Sequence, residues 1–372
     1  VRAPSLAEHA PRPFPMSSRI KAGILGAGRA LFMARCRDMF PDALNLSGIY
    51  DIRSERADRA AAAQRIDRVY PDYEAMLDDV DIDLIVIGTP DYEHAGQAIQ
   101  AMEAGKHVLS EIPAAYEMAE LERLVALEER TGNVYAMGNE VRWFPYLEAA
   151  KQMAMDGYWG ELFHSEAGYL HNLRMEGWRE TEDETSEPHW RFDPKRPQTT
   201  FLGGGPHAFD TLRWLTGETN WVEVFAYGNA PYITGHPEPG NTVAILKGSS
   251  GLISKVEASY VMARPYSLYF NLFGDKGTFE TSRIESEGLY FSEKIPHMER
   301  MERLAVPYAT RPGYESDGHG SSEIHMVEDL VAAIREGRPA AINAREAARS
   351  IAPAICAYES IRTGLPVAIP RF

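Results

Sequence analysis

Short apolar runs alternate with helix-compatible stretches through the first 140 residues. Ile20 to Leu25 is apolar and ends in Gly26-Ala27-Gly28; Ala30 to Met39 reads as helix until Pro41 stops it; Leu44 to Tyr50 is apolar again and Asp51 closes it. This order of strand, glycine turn, helix, strand and acid is that of a dinucleotide-binding βαβ unit. The alternation continues with helices over Ser54 to Gln64, Tyr73 to Leu77, Tyr92 to Ala104 (closed by Gly105) and Glu117 to Arg130 (closed by Gly132). Strands are predicted over Asp83 to Ile87, His107 to Ser110 and Val134 to Met137. Elements of these lengths in this order predict a parallel, doubly wound α/β sheet.

After about residue 145 the periodicity changes. Leu147 to Met155 is one more helix, and strand-like segments then dominate: Leu162 to Leu170, Trp221 to Tyr227, Thr242 to Lys247, Leu252 to Met262 and Ser267 to Phe273. Their spacing predicts a large, mostly antiparallel open sheet, with Asp275-Lys276-Gly277 as a hairpin turn. Ser322 to Glu336 and Ala344 to Ser360 are amphipathic helices, and the polar stretch Arg174 to Thr200 reads as a long loop. The expected organisation is a flexible leader at 1–18, an N-terminal Rossmann domain at 19–145 and an α+β substrate and oligomerisation domain at 146–372. The C-terminal helices are expected to pack back toward the first domain.

The chain has 372 residues, 44% hydrophobic and 25% charged, enough for two packed cores. A net charge of -16 without a basic run argues against nucleic acid or an anionic membrane as partner. Two cysteines, Cys36 and Cys356, are too few for a disulfide framework and fit a reducing cytoplasm. No apolar run approaches the roughly 20 residues of a membrane span. His164, His171, His189 and His207 lack metal-ligand spacing, so no metal is expected.

The glycine turn carries the first chemistry. Gly26 permits the tight turn, and Gly28 lets the backbone approach a pyrophosphate where the N–H groups of Arg29, Ala30 and Leu31 open a helix. Leu31 stands where the fingerprint has Gly or Ala, which implies wider helix–strand packing. Asp51 can accept both ribose hydroxyls of NAD and would repel the 2′-phosphate of NADP, whereas Arg53 could turn toward such a phosphate. NAD is the expected cofactor.

Two further stretches carry a resemblance: Ile85-Val-Ile-Gly-Thr-Pro-Asp-Tyr-Glu-His94 and Gly105-Lys-His-Val-Leu-Ser-Glu111-Ile-Pro-Ala114. They resemble the Gfo/Idh/MocA oxidoreductases, whose pattern is an apolar strand, T-P, a His four residues on, then G-K-H-V-x-x-E-K-P. The resemblance continues through Asn139, Arg142-Trp-Phe-Pro145, Trp190-Arg-Phe-Asp-Pro194, His207-Ala-Phe-Asp210, Arg213-Trp-Leu-Thr-Gly217, Gly274-Asp-Lys-Gly-Thr278 and Val367-Ala-Ile-Pro370. It implies that Thr89, Pro90, His94, Glu111, Ile112, Pro113 and Asn139 line the cofactor, with a cis Ile112–Pro113 bond. It also implies hydride transfer with a sugar, sugar derivative or polyol, and a homodimer or homotetramer.

Family dehydrogenases place a Lys, an Asp and a His around the substrate hydroxyl. Here the Lys position is Ile112 and the Asp position Gly203, so only His207 remains. Some relatives, NAD-dependent glycosidases, read E-V-P at the first position and Y-x-H further on, which Tyr169 and His171 match; Gly318-His-Gly-Ser-Ser322 is similar too. Three functions stay open: an oxidoreductase with a rebuilt proton relay, a glycosidase or lyase that oxidises C3 transiently and eliminates the aglycone, and a silent cofactor-binding scaffold. His207, Tyr169 and His171 are the candidate acid–base groups, and Arg142, Trp178, Trp190, Arg191 and Asp210 the candidate sugar contacts.

Overall fold

A computed structural model of the chain describes residues 18–173, 190–193, 195, 199–218, 220–231, 238–281, 287–304 and 320–372. Residues 1–17 of the leader, Trp178 and the first two residues of the Gly318–Ser322 stretch lie outside them. Two compact units form: one from the described residues through Glu140 and those of 310–348, the other from those of 141–309 and 349–372.

In the first unit β1 (Ile20–Leu25), β2 (Leu44–Tyr50), β3 (Leu84–Ile87), β4 (His107–Glu111) and β5 (Tyr135–Gly138) form a parallel sheet in the order β2-β1-β3-β4-β5. Every residue of β3 is at most 1% exposed, as expected of a strand covered on both faces by crossover helices. These helices are α1 (Met33–Met39), α2 (Ser54–Gln64), α3 (Tyr73–Asp78), α4 (His94–Glu103) and α5 (Met118–Thr131). Each end of α5 has a local cause. Glu117 and Glu120 form a reciprocal capping box, and Gly132 ends the helix at φ 68°. The strand order reverses at β1 and β3, so a crevice opens beyond their carboxyl ends.

The second unit contains α6 (Pro145–Met155), β6 (Leu162–Leu170), α7 (Thr200–Gly203) and α8 (Gly205–Thr216). Seven strands follow: β7 (Trp221–Pro231), β8 (Pro239–Gly248), β9 (Ile253–Ser259), β10 (Ser267–Gly274), β11 (Gly277–Thr281), β12 (Gly288–Ser292) and β13 (Glu302–Arg303). Helix α9 (Gly320–Glu336) returns to the first unit, α10 (Ala344–Thr363) runs into the second, and β14 (Val367–Ala368) ends the sheet. The sheet order is β13-β12-β11-β10-β6-β9-β8-β7-β14. Most neighbours are antiparallel, but β6 and β9 run parallel, a pairing that strand spacing cannot reveal. β11 returns from the expected hairpin turn at Asp275-Lys276-Gly277, but strands β12 to β14 were not expected; they are two to five residues long and too short for a periodic signal. One face of the sheet is covered by α8, while Phe163, Tyr227, Ile245 and Ile253 remain 39–70% exposed. Both cysteines are buried thiols.

A half-buried histidine and a buried aspartate anchor these units. In the first, the N–H of Val134 donates to Nδ1 of His107 at 2.9 Å, so the ring must keep that nitrogen unprotonated. Burial lowers the His107 pKa to about 4. In the second, Asp210 is fully enclosed and accepts from Nε (2.7 Å) and Nη2 (2.5 Å) of Arg142 and from Ser350 Oγ (2.7 Å). Ser350 in turn accepts from Arg213 Nε at 3.1 Å. Burial alone would raise the Asp210 pKa, but Arg142, Arg213 and Ser350 outweigh it and lower it. Arg142 and Asp210, expected from the sequence as sugar contacts, are bound to each other here, and through Ser350 the Asp210 carboxylate ties α8 to α10.

Stability should follow both groups. The unfolded His107 takes a proton near pH 6.5 and the folded one only near pH 4, so acid should cost about 3 kcal/mol across that window. His107→Asn, which keeps an acceptor, should flatten the urea midpoint between those pH values. Arg142→Ala leaves a buried carboxylate without its charge partner and should cost about 3–5 kcal/mol, measured by urea unfolding at pH 7. The Asp210 contribution should be intact above about pH 4 and fade as pH falls further, since its folded pKa is depressed.

Candidate functional site

The crevice at the end of β1 is built by backbone. Gly26 has φ +93°, and a Cβ there would stand 2.8 Å from the carbonyl oxygen of Gly88, so only glycine fits. Gly28 is exposed; a Cβ on it would meet nothing closer than 3.8 Å, leaving an open cradle. Arg29–Phe32 forms a 3-10 turn before α1, with Ala30 fully buried. The expected wide packing at Leu31 is not what occurs. Gly88, at the end of β3, supplies the close approach, since a Cβ there would lie 2.6 Å from the Ala30 nitrogen.

Asp51 is held by its own loop. Its Oδ2 accepts from the Ala27 N–H at 2.8 Å and its Oδ1 from the Arg53 N–H at 2.9 Å. Arg53 is exposed, and Ile52 beside it is 88% exposed, an apolar surface next to the carboxylate that patterning did not single out. Arg56, also missed, donates to the Ala27 carbonyl at 3.0 Å. These features fit a dinucleotide: a glycine cradle for the pyrophosphate and an oriented carboxylate for the ribose.

At the ends of β3 and β4, His94 is 2% exposed and its ring nitrogens face the Thr89 carbonyl (3.0 Å) and the Pro113 carbonyl (3.2 Å). Thr89 Oγ1 donates to Gln97 Oε1 at 2.5 Å, and Pro90 is half-buried at the head of the next turn. Ile112–Pro113 is cis, and Ile112 is buried at 9% exposure beside Ala114 and Ala115. Asn139 is fully enclosed. Glu111 lies 3.4 Å from Arg29 Nε, and two carboxylates the sequence reading missed, Glu140 and Glu323, lie 3.6 and 2.5 Å from Arg29 Nη2. Burial works against the Arg29 charge, yet the three carboxylates raise its pKa above the ordinary value. Glu323 also binds Arg35 at 2.6 Å. It comes from α9, some 290 residues away in sequence, a separation that only an alignment of contacts could bridge.

The candidate acid–base groups lie in the second unit, where β6 ends. Tyr169 is 8% exposed, and its hydroxyl lies 2.7 Å from His171 Nδ1. His207, in the first turn of α8, stacks on the Tyr169 ring at 5.7 Å and 19°. Tyr266 packs edge-on against both Tyr169 (5.6 Å) and His171 (4.8 Å), and Tyr260 against Tyr169 (6.3 Å). The structure therefore brings all three sequence candidates together and adds two tyrosines that follow β9. Trp190 and Arg191 are half-buried, with the guanidinium 4.4 Å from the indole. Among the described residues no cluster of three His, Cys, Asp or Glu side chains could hold a metal, and no helix is long and apolar enough to cross a membrane.

Comparison with known proteins agrees with this architecture. Residues 20–139 match the profile of the oxidoreductase family with the NAD-binding Rossmann fold, and residues 147–280 match the GFO/IDH/MocA C-terminal domain. A glycosyl hydrolase family 109 protein of Shewanella putrefaciens is 27% identical, covering 87% of this chain and 78% of its own. An alpha-N-acetylgalactosaminidase of Shewanella oneidensis is 26% identical over the same shares. Among solved structures, a levoglucosan dehydrogenase in complex with NADH superposes with a TM-score of 0.82 at 21% identity, covering 95% of this chain and all of its own. With both halves matched in sequence and the fold in agreement, the chain belongs to the Gfo/Idh/MocA oxidoreductase family, with an NAD-binding Rossmann domain followed by the family's C-terminal domain.

Proposed function

We propose that this protein cleaves a glycoside with NAD as a recycled prosthetic group, rather than oxidising a sugar irreversibly. The observation that carries the reading is the Tyr169–His171 hydrogen bond of 2.7 Å, with His207 stacked on Tyr169. It supplies a proton-transfer pair in a chain whose Lys and Asp positions hold Ile112 and Gly203. Bound NAD supplies reversible hydride acceptance from a sugar alcohol. What remains for the protein is to move protons on and off carbon and oxygen. A proton shift from Tyr169 Oη to His171 Nδ1 leaves a phenolate able to take a C–H proton next to a carbonyl. The C–H proton restores the phenol, and the imidazolium gives the proton it took from Tyr169 to the leaving oxygen. His207, 8% exposed against the same ring, holds the phenol in place.

Gly26, Gly28 and the loop through Leu31 would hold the pyrophosphate, and Asp51 the adenosine ribose; a carboxylate there disfavours a 2′-phosphate. Glu111, Ile112 and Pro113 would line the nicotinamide half. Trp190 and Arg191 offer an aromatic and cationic platform for a sugar face. The relatives' names support an α-N-acetylgalactosaminide as the first substrate to try. The exposed Tyr227, Ile245 and Ile253 on the open sheet face support a homodimer or homotetramer.

The deciding assay mixes the NAD-loaded protein with 4-nitrophenyl N-acetyl-α-galactosaminide, other aryl glycosides and free sugars, and follows nitrophenol and NADH together. Release of nitrophenol without net NADH is expected. Net NADH from free sugars with no release would make the protein a dehydrogenase, and silence in both would make it a scaffold. Tyr169→Phe and His207→Ala should each lower turnover by roughly 10²–10⁴-fold with NAD still bound. Full activity in both would place the proton relay elsewhere.

Asp51→Ala should weaken NAD binding by about 2–4 kcal/mol, through the lost ribose bonds and the loosened Ala27 and Arg53 amides. It should also narrow the preference for NAD over NADP. Calorimetric titration of the cofactor-free protein checks both, and undiminished NAD affinity would refute the assignment.

A further inference from the structure

Gly203 and Gly204 are glycines for want of space, not for backbone freedom. Gly203 ends the short helix α7, and Gly204 has φ -123°, so neither occupies the left-handed region. A Cβ at Gly203 would stand 2.2 Å from Tyr260 Oη and 3.3 Å from both Tyr260 Cζ and Arg191 Nη1. A Cβ at Gly204 would stand 2.2 Å from Tyr169 Cε1. Two adjacent missing side chains thus seat two tyrosines, whose rings meet edge to face at 6.3 Å and 80°.

Backbone bonds fix Tyr260 in that seat. Its N–H donates to the Gly240 carbonyl at 2.7 Å, and its carbonyl accepts from the Leu173 N–H at 3.2 Å. The residue is 2% exposed. Its hydroxyl therefore stands where the first carbons of an aspartate side chain at 203 would lie, beside the Arg191 guanidinium. A decayed catalytic position would leave a hole or a random small residue. Here the space is filled from another strand by a group that can both donate and accept a hydrogen bond.

We infer that Tyr260 is a positioning residue that has taken over the place of the missing aspartate. Its hydroxyl occupies the gap at Gly203 next to Arg191, and its ring forms the wall that keeps Tyr169 on Gly204 and flat against His207. This rests on the reading of Tyr169 and His171 as the proton-transfer groups, with His207 packed on the phenol. Gly203→Asp in the unaltered chain is then not a restoration, because the new side chain meets the phenol. In a chain carrying Tyr260→Phe the obstacle shrinks to a carbon 3.3 Å away, and the carboxylate can enter.

The test is a double-mutant cycle on the NAD-loaded protein, read by nitrophenol release and by NADH formation, with thermal melting to confirm folding. Tyr260→Phe should lower kcat about 10- to 100-fold with KM within about twofold, and shift the pH limb set by Tyr169 and His171. Gly203→Ala should do the same by displacing the hydroxyl. Combined with Tyr260→Phe, it should add almost nothing, a non-additivity that independent structural damage would not produce. Gly203→Asp should be harmful alone and should recover about tenfold when added to Tyr260→Phe. An unchanged kcat and pH profile in Tyr260→Phe overturns the inference, as does an additive cycle. If wild type forms only NADH, the glycosidase reading falls while the cycle, read on NADH, still judges Tyr260. If wild type turns over neither kind of substrate, both fall.

Discussion

Gly26 can turn the chain at the end of β1 only because the neighbouring strand end offers backbone and no side chain. A Cβ on Gly26 would meet the Gly88 carbonyl, and a Cβ on Gly88 would meet Ala30. Backbone lies on backbone at this point, and the geometry of the crevice follows from it. The glycine cradle at Gly28, the Ala27 amide that reaches Asp51, and the Thr89 loop tied to His94 all hang from that contact. Substituting either glycine would move the whole lip of the crevice, since close-packed backbone cannot yield as a flexible side chain can.

Much of this was legible in the chain itself. Parallel strands covered on both faces read as unbroken apolar runs, so Leu84–Ile87 and its neighbours announced their sheet. Gly132 and Gly105 announced helix ends because positive φ is a local demand. The parallel pairing of β6 with β9 was not legible, nor were the two- to five-residue strands at the sheet margins. Register between distant segments is a tertiary choice with no local signature. The third fingerprint position misled for a related reason: the small residue that the packing needs came from Gly88 on another strand, not from position 31.

The site divides along the same line. Gly26, Gly28, Asp51, Tyr169, His171 and His207 could be singled out because each is a residue type with a chemistry of its own. Glu140, Glu323, Tyr260 and Tyr266 were not, because their importance comes only from what they touch. Arg142 and Asp210 were visible as motif residues, but only the structure shows that they are buried and bound to each other. Five ionised groups meet around Arg29: two guanidiniums and three carboxylates, an excess of one negative charge close to the fingerprint loop. The Arg29 guanidinium is therefore held by protein carboxylates.

The direction of β9 decides what the end of β6 can become. In a purely antiparallel sheet, neighbouring strands deliver their carboxyl ends to opposite margins, and the loops that follow them never meet. Because β6 and β9 run the same way, in register from His164 with Ile253 to Leu170 with Ser259, both finish at one margin. Tyr169 and His171 issue from one strand there, Tyr260 and Tyr266 from the segment after the other. Two stretches of chain about 90 residues apart can thus be altered independently while contributing to one cluster of rings. Such a margin lets a protein exchange one set of proton-handling groups for another while every strand stays in place.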